Sequence, residues 1–301
     1  MTIGPFRFPA EDAHSLGVST ALAYLELTKP RVNLLVALTA AAGFYMGARG
    51  AVNLLALVNT VVGTGLVAGG SSALNQLMEQ DLDARMARTA GRPLPSGRIA
   101  PNAALVFGLA LIALGAVQLA TLVNPFTSLL GLVTSILYLL IYTPLKTRTP
   151  LCTTVGALPG AIPPLMGWAG ATDTLNLGAV GLFLILLLWQ FPHFLAISWA
   201  YRSDYEQGGF SMLPTVDPQG GRTARRIIVY SLFLVLCSFA PTAIGTTGVV
   251  YAAGAALMGL ALLGFGVRAA RLRSRTSARA LSLATVIYLP MLMALMIVDK
   301  V

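Results

Sequence analysis

The stretch LNQLMEQDLDARMARTAGRPLPSGR, residues 74–98, carries three acids and four arginines directly behind an apolar run. The chain around it is 56% hydrophobic and only 10% charged, whereas a soluble domain is usually about 25% charged. With a mean hydropathy of +0.77, the chain lacks the polar surface a soluble particle needs. The run ahead of Glu79 therefore reads as a membrane span, and the chain as an all-α polytopic membrane protein. Length alone would suggest one or two soluble domains, a prior that does not apply to a polytopic bundle. Residues 1–301 read as a single transmembrane domain.

Working outward, nine apolar segments reach the roughly 20 residues a span requires. They lie at 31–49, 54–78, 103–122, 126–144, 151–170, 177–200, 227–245, 248–267 and 281–298. Only Val123, Asn124 and Pro125 divide the third from the fourth. Runs of this length exclude a β-barrel, whose strands are shorter and alternate. With residues 1–21 as a cytoplasmic tail, all 20 lysines and arginines except Arg49 and Lys300 fall on alternate, inside-facing segments. Basic loop residues stay on the cytoplasmic side, so this asymmetry supports the span count, a cytoplasmic N-terminus and an outside C-terminus. It also accounts for most of the net charge of +9; nucleic-acid binding is not needed.

Cys152 and Cys237 lie in or beside spans, far apart in sequence, and read as small packing residues without a disulfide or zinc pattern. Glu11 and Asp12 interrupt the N-terminus, which has neither a signal-peptide core nor the Arg-rich, acid-poor character of a presequence. A bacterial inner membrane is favoured over a mitochondrial one.

The inside loops at 75–102 and 198–226 hold most of the polar chemistry. In the first, continued as helix, Asn75, Glu79 and Asp83 recur every four residues and drift about 40° per step over roughly 12 Å. Asp81 points about 200° away from Glu79. An acid in a membrane helix costs on the order of 2.5–3.5 kcal/mol, carboxylates repel at i, i+4, and acids oppose the dipole at a helix C-terminus. Three unfavourable effects on one face call for a cation, and hard oxygen ligands suit Mg²⁺ shared with substrate phosphates. The plain alternative is a helix end solvated at the headgroups, which the acids alone do not exclude. Arg85, Arg88, Arg92, Lys146 and Arg148 add forks and point charges matched to phosphate oxygens, although singly each also satisfies the charge rule for inside loops.

The second loop follows WQFPHFLAISWAYRSDYEQGGFSMLPT, residues 189–215. Asp204 is a second metal-side carboxylate, with Arg202, Tyr201 and Tyr205 beside it. Asp83 and Asp204 stand 121 residues apart, a spacing that fits a duplicated helical unit. His193, the one histidine within the spans, follows Pro192. It reads either as a functional group, including an iron-porphyrin ligand, or as a neutral side chain bonded to a carbonyl that Pro192 frees. Between the loops, Gly156, Gly160 and Gly167 permit close helix approach. Pro159, Pro163 and Pro164 break regular helix, as happens where backbone faces a cavity.

The pattern N-x-x-x-E-x-x-x-D-x-x-M-x-R-T-x-x-R-P from Asn75 to Pro93 resembles the first aspartate-rich motif of the UbiA-type intramembrane prenyltransferases, in the form of the haem O synthase branch. LTKPRV at 27–32, YTPLKTRTP at 142–150, GAIPPLMGW at 160–168, WQFPHF at 189–194, YRSDYEQGGFSMLP at 201–214 and YLPMLMALMIVD at 288–299 extend the resemblance over residues 22–300. It implies nine helices around a central cavity and a diphosphate held through Mg²⁺ at the cytoplasmic end. The implied reaction transfers the farnesyl group of farnesyl diphosphate to a vinyl group of haem B, with water completing haem O. A haem A synthase is then a candidate acceptor of the product.

By motif position, Asn75, Glu79, Asp83 and Asp204 would hold the metal. Arg85, Arg88, Arg92, Lys146, Arg148 and Arg202 would stabilise the diphosphate, and His193 and Tyr201 are the positions for haem. Ser211, where the branch usually has proline, and Cys152, in a position that favours a polar residue, depart from the pattern without touching those ligands. Three alternatives stand beside this reading. A related prenyltransferase with a quinone-precursor acceptor shares the acids; a transporter predicts charges near the bilayer midplane; a haem chaperone has no use for Glu79 and Asp83.

Overall fold

The computed structural model describes residues 13–301, with side chains from Ser19 onward. Arg7, Glu11, Asp12 and most of the expected tail lie outside the described residues. α1 (Ala13–Leu27) leads into α2 (Pro30–Gly47) and α3 (Leu54–Met78), which breaks and continues as one turn, α4 (Gln80–Asp83). α5 (Pro101–Leu122) and α6 (Pro125–Ile136) follow, and a wide π-helical stretch at Leu137–Tyr142 carries α6 into α7 (Thr143–Leu145). Next come α8 (Cys152–Ala161), α9 (Pro163–Thr172), α10 (Leu177–Ala200) and α11 (Arg202–Gln207). α12 (Gly221–Cys237), α13 (Ala240–Ala243), α14 (Val249–Leu272) and α15 (Arg275–Val298) complete the chain.

Among the described residues, seven stretches are each long and apolar enough to cross a membrane: α3, α5, Pro125–Leu145, α10, Gly221–Ala243, α14 and α15. The other two of the nine expected spans differ for local reasons. α2 has 18 residues, and Arg31 and Asn33 dilute its first turn. The segment at 151–170 is broken at Ile162, where Pro163 and Pro164 remove consecutive donors. The region at 103–144 divides between α5 and α6 as expected: Asn124 accepts from the Thr127 N–H at 2.7 Å and starts α6, with Pro125 at its first position.

Helix starts near the charged end fall earlier than hydropathy suggests. α15 begins at Arg275 rather than 281, because Ser274 and Ser277 form a reciprocal cap ahead of it. α12 begins at Gly221 rather than 227, with Asp217 accepting from the Thr223 N–H at 2.8 Å.

The helices close into a ring. α3 packs on α5 and α2, α2 on α9, α10 on α8, α12 and α15, α12 on α14, and α14 on α15; α15 returns to α2. Backbones meet where side chains are absent. A Cβ on Gly167 would overlap the Ala40 carbonyl, and one on Gly43 the Pro164 carbonyl, so α2 and α9 pack at glycine distance. The largest buried cluster joins α10, α12, α14 and α15 around Leu182, Ile227, Tyr251 and Leu292.

The two ends of the bundle differ in chemistry. At one, the loops after α7, α11 and α14 interlock: the Ser211 N–H donates to the Lys146 carbonyl at 2.7 Å, and Arg273 to the Gln219 carbonyl at 2.8 Å. Leu27 of α1 is buried there with Leu94 and Ile99. At the other end Lys300 Nζ donates to the Tyr45 and Ala48 carbonyls, both at 2.6 Å, closing the C-terminus of α2. Asp299 accepts from the Tyr251 N–H at 2.6 Å at the start of α14.

Candidate active site

A cavity of about 460 Å³ lies inside the ring, walled by apolar side chains such as Val36, Val67, Met166 and Leu186 and opening toward the charged end. Val32 on α2 and Phe194 on α10 line it and are themselves exposed, so the cavity reaches the bundle surface beside them.

Its mouth is built by the break after α3. Met78 ends regular helix, and Glu79 sits at φ −104°, ψ 9° before the turn of α4. Glu79 and Asp83 are 4% and 1% exposed, and both line the cavity. Glu79 Oε1 lies 2.7 Å from Lys146 Nζ, a pairing of charge whose angles do not make a hydrogen bond. Burial alone would lower the pKa of Lys146, but Glu79 outweighs it and holds the ammonium above its ordinary value. Asp83 Oδ2 accepts from Arg92 Nη1 at 2.6 Å, and its carbonyl accepts from Thr89 Oγ1 at 2.8 Å, closing the loop around the pair.

The expected four-ligand metal set is not assembled. Asn75 is fully buried, but Oδ1 accepts from Lys29 Nζ at 2.9 Å and Tyr138 OH at 3.2 Å. A carbonyl oxygen has two lone pairs, so both are in use, while Nδ2 donates to Thr143 Oγ1 at 3.0 Å. Asp204 lies off the cavity wall, its nearest cation being Arg88 at 4.0 Å. Among the described residues no cluster of three or more His, Cys, Asp or Glu is placed to hold a metal. The pair that fits a hard cation is Glu79 and Asp83, two buried carboxylates on one wall.

The expected cations also divide. Lys146, Arg88 and Arg92 line the cavity with the acids. Arg85 and Arg148 are exposed and absent from its wall. Arg202 turns away to Glu206 at 2.6 Å, in the i, i+4 arrangement of a helix surface. Tyr201 is off the wall too, with the guanidinium groups of Arg88, Arg275 and Arg279 at 5.3, 5.8 and 5.6 Å from its ring centre, within reach of cation–π attraction.

The duplicated-unit spacing is corrected by the same breaks. Tyr201, at φ −115° and ψ 30°, interrupts α10 as Glu79 interrupts α3. Four residues beyond each break stand Asp83 and Tyr205, both on the cavity wall. Asp204 falls one position short of that register and so faces elsewhere.

His193 lines the cavity, but its partner is not a carbonyl freed by Pro192. Its Nδ1 lies 2.8 Å from Thr285 Oγ1 on α15, and its ring stacks on Trp189 at 4.7 Å.

Several wall residues carried no prior expectation. Lys29 occupies the left-handed region, φ 51° and ψ 61°, uncommon for lysine. Bonds from Gln76 Nε2 to the Leu27 carbonyl at 2.8 Å and Asn33 Nδ2 to the Thr28 carbonyl at 2.6 Å pin the turn around it. Burial first, then Arg92 and Lys146, pull its pKa down to about 7. Tyr138 and Tyr142 stack at 5.4 Å along the π-helical stretch, which ends two residues before Pro144, a residue without a donor.

Residues 36–295 match the UbiA prenyltransferase family. The chain belongs to that family. Among curated relatives, the protoheme IX farnesyltransferase of Solibacter usitatus (strain Ellin6076) is 45% identical over 286 residues, spanning 92% of this chain and 98% of that protein. The protein of the same name from Koribacter versatilis (strain Ellin345) is 41% identical over 295 residues, 94% of this chain and 95% of its own.

Solved structures of low identity share the UbiA fold. That of a digeranylgeranylglyceryl phosphate synthase has a TM-score of 0.77 at 18% identity, covering 93% of this chain and 98% of that one. A UbiA homolog from Archaeoglobus fulgidus bound to GPP and Mg²⁺ has a TM-score of 0.67 at 16% identity, covering 92% and 99%.

Proposed function

We propose that this UbiA-family prenyltransferase transfers the farnesyl group of farnesyl diphosphate to a vinyl group of haem B, giving haem O. The observation that carries the reading is the buried pair Glu79 and Asp83 at the mouth of an apolar cavity, with Lys29, Arg88, Arg92 and Lys146 around them. The names of relatives at 41–45% identity support the acceptor.

In this reading the allylic C–O bond breaks and both electrons leave on the diphosphate. The vinyl π pair forms the new C–C bond, and water closes the resulting cation and loses a proton. Lys29, Lys146 and Arg92 stand ready where negative charge develops, so no reorganisation is required at that moment. Val67, Met166 and Leu186 keep water from the farnesyl cation. Glu79 and Asp83 would hold Mg²⁺, which when bound neutralises diphosphate charge. Haem and prenyl chain would enter from the bilayer beside Val32 and Phe194. The basic end would face the cytoplasm of a bacterium, the enzyme sitting in its inner membrane with a haem A synthase as product acceptor.

The test is purified protein in detergent with haem B, farnesyl diphosphate and Mg²⁺, followed by mass analysis of the porphyrin. A farnesylated, hydrated haem is expected. Unmodified haem alongside a prenylated aromatic acid would move the acceptor to a quinone precursor.

A further inference from the structure

His193 has one nitrogen engaged and one open. Its Nδ1 lies 2.8 Å from Thr285 Oγ1, and that same hydroxyl donates to the Ser282 carbonyl at 2.6 Å. A hydroxyl has one proton, and a carbonyl can only accept. Thr285 therefore gives its proton to Ser282 and accepts from the imidazole, which places the His193 hydrogen on Nδ1. In the neutral ring this leaves the lone pair on Nε2. Nε2 has no partner among the described residues, and it is not among the sealed, unpartnered polar atoms of a side chain that lines the cavity.

Thr285 also fixes the ring's neighbour. Trp189 Nε1 donates to the Thr285 carbonyl at 2.7 Å, and the indole stacks on the imidazole with planes 16° apart. One fully buried threonine on α15 thus sets both the tautomer and the tilt of a histidine on α10.

We propose that Thr285 is a positioning residue for the acceptor substrate, holding His193 so that Nε2 coordinates the porphyrin iron. The proposal rests on the reading of the acceptor as haem. A histidine that ligates metal ordinarily donates its other N–H to a fixed acceptor, which orients the ring and raises its basicity. Here that acceptor is a hydroxyl whose own proton is already committed, so the arrangement has one stable sense. Binding through the iron would anchor the porphyrin on the α10–α15 side of the cavity.

The test needs no turnover. The chain has two histidines, His14 and His193, so ¹⁵N-histidine labelling with a His14→Gln variant isolates the imidazole of interest. The expected spectrum without ligand is the neutral ring protonated at Nδ1; protonation at Nε2 overturns the proposal. Haem B alone is then titrated into detergent-solubilised protein, and the ferrous complex is examined by resonance Raman for an iron–histidine stretch. The stretch is expected in the full chain and lost in His193→Ala. In Thr285→Val haem affinity should fall roughly 10–100-fold and the stretch should shift, with Thr285→Ser restoring both.

Wild-type affinity and frequency in Thr285→Val, or a histidine stretch surviving in His193→Ala, would overturn it. Haem bound without histidine ligation removes this proposal and leaves the acceptor reading standing. A protein that ignores haem but prenylates another acceptor removes the acceptor reading itself.

Discussion

Lys29 donates from Nζ to Asn75 Oδ1 at 2.9 Å, joining the turn before α2 to the last turn of α3. The contact holds a lysine in left-handed backbone, a state costing of order 1–3 kcal/mol, beside two further cations. Such a position is destabilising on its own and becomes favourable once an anion arrives. Lys29→Met should leave the protein foldable, since it removes a buried charge. It should weaken inhibition by inorganic pyrophosphate roughly 10–100-fold, the equivalent of losing one charged hydrogen bond of about 1.5–3 kcal/mol. Pyrophosphate inhibition unchanged in Lys29→Met would confine the lysine to a structural role.

The two acids on the wall are the sharpest target. Glu79→Gln and Asp83→Asn preserve shape while removing the charge that a metal requires. Both should abolish turnover with normal expression and an unchanged gel-filtration profile. Binding of Mn²⁺ in the presence of pyrophosphate, followed by paramagnetic resonance, should be lost with it. Near-normal rates in either variant remove that residue from the metal site.

The arginines are expected to separate in the way their contacts do. Arg92 pairs with buried Asp83 at 2.6 Å on the cavity wall, whereas Arg202 pairs with exposed Glu206 on a helix surface. Arg92→Ala should therefore suppress turnover as strongly as the acid variants. Arg202→Ala should stay within about twofold of wild type, as surface substitutions near ±0.5 kcal/mol do. Equal losses in steady-state assays would show that Arg202 swings to the cavity during the reaction.

Much of the architecture was readable because the bilayer imposes it. Long apolar runs and the Asn124–Pro125 division both act locally. The acids were readable too, since Glu79 and Asp83 violate three energetic rules at once. What hydropathy could not supply was direction. Arg202, Arg148 and Arg85 have the right chemistry, yet Arg202 pairs along a helix surface and Arg85 and Arg148 stand exposed in the turns after α4 and α7, and a single-residue offset after the break at Tyr201 puts Tyr205 rather than Asp204 on the wall. Lys29 was hidden because it reads as one more inside-facing base; its pre-proline position gave no hint of left-handed backbone. Thr285, sixteen residues from the chain end, looked like any hydroxyl in a span, and its role depends on contact with His193 across 92 residues.

The start of α12 gives a prediction in pH. Asp217 lies in the loop outside the spans and accepts from the Thr223 N–H at 2.8 Å and its hydroxyl at 3.0 Å. Arg222 is a weaker neighbour at 3.8 Å. Partial burial pushes the carboxyl up, but the Thr223 bonds and Arg222 prevail and hold it below the usual carboxylate value. A group with a depressed folded pKa binds its proton more readily when unfolded, so stability rises with pH across that interval. Its contribution is complete above the unfolded value of about 3.9 and disappears as pH falls through the folded value. Asp217→Asn keeps an acceptor oxygen and removes the charge at the helix start, so it should lower stability at neutral pH by about 0.3–1 kcal/mol, and the gap to wild type should close under acid conditions. Thermal unfolding in detergent at neutral pH and below pH 4 measures this directly. A gap of constant size would mean that Asp217 acts through shape and not through charge.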